Sequence, residues 1–234
     1  MDIQLYYTEY GEGEPLILLH GNGENQEYFI HQIEYFKKYY RVIAIDTRGH
    51  GKSPRGKATF SIAQFSEDLH DFMKEHEIKK AHVLGFSDGG NIALTFALKY
   101  PEQVDKLILN GANLNTKGIK FWVQCPVVIG YYIASFFGKM SKEAKKNAEM
   151  LGLMVKEPNF LPEDLHRLNK ETLVIAGTKD MIKTSHTKEI YGSLPNGKLV
   201  LLEGDHFIAN KKPEEFNQAV REFLRSDIIK EAAL

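Results

Sequence analysis

One cysteine, Cys125, stands in a chain of 234 residues, so no internal disulfide can form, and without a C-x-x-C pair there is no zinc or dithiol-redox signature. Cys125 lies in an apolar run with no histidine beside it and reads as a small buried hydrophobe rather than a nucleophile. An excess of one charge is lacking too: 30 basic and 31 acidic residues leave a formal net charge of −1. That balance excludes the basic footprint of a nucleic-acid binder and points to a small-molecule ligand. Met1-Asp2-Ile3-Gln4 has neither the basic nor the apolar region of a secretion signal, so a cytoplasmic protein is expected. Long hydrophobic runs are missing as well. The longest, residues 121–137, is broken by Gln124, Pro126 and Gly130, so no stable membrane insertion is expected. Neither an internal repeat nor a low-complexity segment occurs, and the lysine-rich residues 139–146 read as a solvated helix face.

What the chain does have is a hydrophobic content of 43%, enough for the core of one α/β domain at this length. Residues 3–7 alternate as a strand, and Pro15-Leu16-Ile17-Leu18-Leu19 and residues 41–46 are continuous apolar strands separated by a helical segment near 26–39. Ser61 caps a helix running to about Glu75, with Ile62, Phe65, Leu69 and Phe72 spaced three or four apart. Further strands are expected at 81–84, 104–110, 172–176 and 198–202, with a last helix at about 213–224. This alternation predicts an α/β fold: a mostly parallel twisted sheet of about seven strands with helices on both faces. Between residues 112 and 169 the pattern changes to aromatic-rich helical segments. These read as a helical cap inserted after the strand ending near Asn110, leaving residues 1–111 and 170–234 as the core domain.

The chemistry sits at strand ends. Gly85-Phe86-Ser87-Asp88-Gly89 lies between the strand at 81–84 and a helix-periodic run, which is the context of a nucleophile elbow: small residues two before and two after the serine let the turn close tightly. A serine is inert at its own pKa, so a base and a group to orient that base are required. His206 follows the strand at 198–202 in Glu203-Gly204-Asp205-His206-Phe207, and Asp180 follows the strand at 172–176; the order Ser87, Asp180, His206 suits a Ser-His-Asp triad. Asp205 competes for the carboxylate role, but side chains of adjacent loop residues diverge, and Asp180 is preferred. The oxyanion hole is expected from the backbone N–H groups of Asn22, in His20-Gly21-Asn22-Gly23, and of Asp88. The loop Asp46-Thr47-Arg48-Gly49-His50 reads as structural, tied by Asp46 and Arg48. Metal-ligand spacing is absent, and no cofactor is expected.

Together HGNG, DTRGHGKS, GFSDGG, the aspartate after a late strand and GDHF resemble the α/β-hydrolase superfamily over nearly the whole chain. Within it, G-F-S-D-G-G-N-I-A-L, K-Y-P and Asn110-Gly111-Ala112-Asn113 are similar to the biphenyl-hydrolase-like amino-acid ester hydrolases. The resemblance implies a cofactor-free acyl-enzyme mechanism. It also implies that the acidic residue after the nucleophile, Asp88, helps hold a substrate ammonium group. Without a ligand, Asp88 would still gain from the helix dipole. Cap aromatics, among them Trp122, Tyr131 and Phe136, either line a substrate pocket or simply pack. The expected activity is a carboxylesterase-like serine hydrolase of small esters, acting as a monomer or homodimer. A C–C bond, lactone or amide hydrolase of the same fold, or a slow-turnover ligand sensor, is the alternative.

Overall fold

A computed structural model describes residues 2–225. Seven strands form one sheet in the order β1-β3-β2-β4-β5-β6-β7: β1 (Tyr7–Tyr10), β2 (Pro15–Leu19), β3 (Arg41–Ile45), β4 (Ala81–Phe86), β5 (Val104–Asn110), β6 (Thr172–Gly177) and β7 (Gly197–Leu202). Only β1 runs antiparallel; every other pairing is parallel. The central strands are apolar because helices cover both of their faces. Leu16, Leu18, Val42, Ala44, Leu84 and Ile108 point into one core, Ile17, Leu19, Ile43, Val83, Leu107 and Leu109 into the other, as the two-residue period of a strand requires.

α1 (Ile30–Phe36) and α9 (Pro213–Leu224) cover the first face with Phe36, Phe216 and Val220; α2 (Ile62–Glu75) and α3 (Asp88–Lys99) cover the second with Phe65, Leu69, Phe72 and Phe96. Ser61 caps α2 as expected, its hydroxyl accepting the Gln64 amide at 3.2 Å. Between β5 and β6, within residues 112–169, lie α4 (Phe121–Phe137), α5 (Lys142–Lys156) and the single turn α6 (Pro162–Leu165). α7 (Thr184–Ser193) and the short α8 (Ile208–Lys211) follow the last two strands.

Three expectations need correction. The first strand is Tyr7–Tyr10 rather than residues 3–7. Ile3 and Leu5 do alternate into the core, but β3 ends at Ile45, opposite Tyr7, and leaves the earlier residues no strand to pair with. The helical segment near 26–39 is a 3₁₀ turn, Gln26–Phe29, followed by the seven-residue α1. Cys125 is half-buried in α4 rather than part of the core.

Candidate active site

β4 delivers Ser87 to the carboxyl end of the sheet. Its backbone sits at φ 53, ψ −119, a conformation that costs on the order of 1–3 kcal/mol and persists only where its surroundings impose it. They do: the Ser87 amide donates to the Asn110 carbonyl at 2.8 Å, and α3 begins at the next residue. A Cβ on Gly85 would stand 2.1 Å from the Gly89 carbonyl oxygen, and one on Gly89 would stand 2.0 Å from that of Leu19. Both flanking glycines are therefore required for the turn to close.

β6 and β7 bring the other two residues to the same place. The His206 Nδ1–H donates to Asp180 Oδ1 at 2.7 Å, and the same oxygen accepts the Ile182 amide at 2.8 Å. Both side chains are buried. With Nδ1 so engaged, Nε2 is the ring nitrogen left to face a serine hydroxyl. The imidazole packs against Gly111, where a Cβ would lie 2.8 Å from its Cε1, one residue beyond the carbonyl that holds Ser87. Phe86 borders the ring as well, with centroids 4.8 Å apart. Asp205 points elsewhere: it pairs with Lys211, accepts the Phe207 amide and is partly exposed.

The loop after β2 is held by histidine. His20 Nδ1–H donates to the Gly21 carbonyl at 2.7 Å while Nε2 accepts the Thr47 amide at 3.0 Å, and burial pushes its pKa down to about 3, so the ring is neutral. The Gly21 amide donates to Glu24 Oε2 at 3.3 Å, and the Asn22 side chain donates through Nδ2 to the Met150 carbonyl of α5 at 2.7 Å. Asn22 thus joins the strand-end loop to the insertion. Asp88, at the first position of α3, has a backbone N–H with no acceptor inside its own helix.

Its carboxyl group is buried. Asn91 Nδ2 donates to Oδ1 at 3.3 Å, while Oδ2 has no partner, and burial raises the pKa from 3.8 to about 6. Asn91 is itself fixed by reciprocal bonds with Asn113 of 3.1 and 3.0 Å.

A family model described as the alpha/beta hydrolase fold matches residues 14–150, over half of the chain. The chain belongs to the α/β-hydrolase family. Among its relatives in that family, the (E)-2-((N-methylformamido)methylene)succinate hydrolase of Acinetobacter baylyi is 28% identical, the match covering 94% of each chain. The human serine hydrolase BPHL is also 28% identical, over 95% of this chain and 84% of its own. A solved meta-cleavage product hydrolase of Pseudomonas fluorescens superposes with a TM-score of 0.79 at 25% identity, over 96% of this chain and 95% of that one.

The cap aromatics are not gathered around Ser87. Trp122 and Phe136 are 70% and 72% exposed on the outer side of α4. The described contacts of Tyr131 are to cap residues, Tyr132, Lys156 and Ser135. Trp122 and Phe136 face outward because α4 packs mainly on α5, leaving its far side uncovered, whereas Tyr131 is half-buried on the side that meets α5. Two acids near the site escaped the sequence reading. Glu24 is half-buried, its pKa raised to about 7 by burial and drawn back by the Gly21 amide and by His206. Glu157, at the end of α5, accepts the Ile62 amide at 2.8 Å, is raised by burial, and raises Asp88 in turn. The signal for Glu24 was its place one residue beyond HGNG; Glu157 reaches the core across the fold and had no local signal.

Proposed function

We propose that this α/β hydrolase cleaves small carboxylic esters through an acyl-enzyme on Ser87 and favours esters of α-amino acids. Ser87 Oγ attacks the carbonyl carbon as its proton passes to His206 Nε2, and Asp180 holds the imidazolium through Nδ1. The backbone N–H groups of Asn22 and Asp88 donate to the oxyanion, each worth about 10²–10³ in kcat. The imidazolium then protonates the leaving alcohol. His206 next takes a proton from water, whose oxygen attacks the acyl carbon, and the acid leaves with the Ser87 hydroxyl restored.

The observation that carries the ester preference is the Asp88 carboxyl group: buried, one residue from the nucleophile, with one oxygen unpartnered. A substrate ammonium group would supply the missing partner and favour the ionised form. Glu24 and Glu157 add negative charge to the same region above their own pKa values. That field disfavours carboxylate substrates.

The test is a panel of aminoacyl, plain acyl, lactone and amide substrates on wild type and Asp88→Asn. The aminoacyl-to-acyl ratio of kcat/KM should rise as pH passes about 6, where Asp88 ionises, and fall again past about 7.7, where an α-ammonium loses its proton. Asp88→Asn should remove at least tenfold of that ratio while sparing plain esters. Equal losses on both ester classes would remove the amino-acid preference, and faster turnover of lactones or amides than of any ester would reassign the bond.

A further inference from the structure

We infer that the outward face of α4 docks flat onto an anionic lipid bilayer. α4 has no fully buried residue along its 17 positions. Its eight exposed positions are 121, 122, 126, 129, 132, 133, 136 and 137. At the ~100° per residue of a helix they fall within one arc of roughly 160°. All are apolar or aromatic. Phe121, Trp122, Tyr132 and Phe136 are 75%, 70%, 66% and 72% exposed, and Ile129 and Ile133 are each 55% exposed. The opposite side is where the helix meets its own chain, with Gln124 Nε2 donating to the Met154 carbonyl at 2.9 Å and Gly130 against Leu151. A contiguous apolar face of this kind on a soluble surface marks a binding site.

Charge selects the occupant. No aspartate or glutamate occurs between residues 106 and 142, while Lys117 and Lys120 precede the helix and Lys139 and Lys142 follow it. Lys120 Nζ lies 5.9 Å above the Trp122 ring. Aromatic side chains flanked by lysines suit the headgroup boundary of a membrane: the rings enter the acyl region while the cations meet lipid phosphates. A second copy of the chain fits less well. Stacked antiparallel, two α4 helices would set Lys120 against Lys139, and stacked parallel Lys120 against Lys120, with no carboxylate on either helix to relieve them. Among the described residues no helix is long and apolar enough to cross a membrane, so α4 lies in the interface.

Trp122 is the only tryptophan of the chain, so tryptophan emission, excited selectively over that of the tyrosines, reports on this face alone. Titration with phosphatidylcholine vesicles containing phosphatidylglycerol should shift its emission to the blue, protect it from acrylamide and bring the protein down with the vesicles. Pure phosphatidylcholine should do so more weakly. The triple variant Lys120→Glu, Lys139→Glu, Lys142→Glu should partition onto the anionic vesicles on the order of a hundredfold less. Ile129→Glu with Ile133→Glu should abolish binding while keeping the wild-type circular dichroism and thermal transition. Ser87→Ala should bind like wild type, which separates this surface from the reading of the reaction. The inference fails if neither vesicle shifts the emission, if the lysine variant binds unchanged, or if the blue shift follows protein concentration without lipid together with the mass of a dimer.

Discussion

Ser87 and Asp88 are neighbours under opposite constraints. The serine is held in a positive-φ conformation by β4, α3 and the Asn110 carbonyl, and the aspartate is forced to bury a carboxyl group with half of its acceptor capacity unused. The second constraint has a cost that depends on pH. A carboxyl group whose folded pKa is raised from 3.8 to about 6 binds its proton more tightly in the folded state. Its stability contribution is therefore most favourable below about 4 and declines as pH rises to about 6. Two units at ~1.4 kcal/mol each give roughly 3 kcal/mol. Chemical denaturation of Asp88→Asn across that window should show a flatter profile than wild type and higher relative stability at neutral pH; parallel profiles would mean the carboxyl group is better solvated than its burial implies. At this scale much was legible. Ser87, Asp180 and His206 each follow a strand, and the structure brings Asp180 and His206 into contact where Ser87 emerges. The spacing of GFSDG carried its own geometric reason in Gly85 and Gly89. Glu24 was missed although it directly follows HGNG, and Glu157 was not legible at all, because burial of an acid by distant elements leaves no mark on its neighbours in sequence.

Elements are joined at this site by a few side chains rather than by broad packing. Asn22 of the loop after β2 donates to Met150 of α5, Arg55 of the loop after β3 forms a two-bond pair with Glu149 at 2.8 Å, and Glu157 accepts the first amide of α2. α5 is thus tied to three core segments. Asn22→Ala removes one tie of about 1 kcal/mol, which should speed amide hydrogen exchange in α5 about fivefold. Its backbone N–H is untouched, so kcat should stay within a few-fold of wild type; a drop of 10² or more with unchanged exchange would place the side chain itself in the reaction. Strands and helices of the core were legible from period and capping, as with Ser61 and α2. The ends of β1 were not, because alternation in Ile3 and Leu5 reports burial and says nothing of whether a partner strand reaches that far. Residues 112–169 were legible as helical but α4 was not legible in orientation: with only Gln124 and Ser135 among its apolar and aromatic residues it carries no polar stripe to say which side its neighbour covers, and Trp122 and Phe136 face outward.

Across the whole molecule the N-terminal segment, the loop after β3 and α2 are locked together by Arg48. Its guanidinium makes two 2.6 Å bonds to Asp68, both residues being buried, and a third of 2.6 Å to Asp2. The sequence reading of this loop as structural holds, with Asp46 accepting the Gln26 and Lys52 amides at 2.8 Å each. Asp68→Asn strands a buried cation and should cost about 3–5 kcal/mol in urea denaturation at neutral pH. A loss below 1 kcal/mol would show that Asp2 alone neutralises Arg48. Strand order was not written in the alternation of elements, which fits several parallel topologies, and came from the structure alone. The account rests on Ser87 being a nucleophile activated by His206 and Asp180, and the most direct measurement is mass spectrometry after timed exposure to a fluorophosphonate. Wild type should carry one adduct, on the Ser87 peptide, with none in Ser87→Ala and labelling slowed by on the order of 10³ or more in His206→Ala and Asp180→Asn. An unlabelled wild type, or His206→Ala labelled at the wild-type rate, would contradict it.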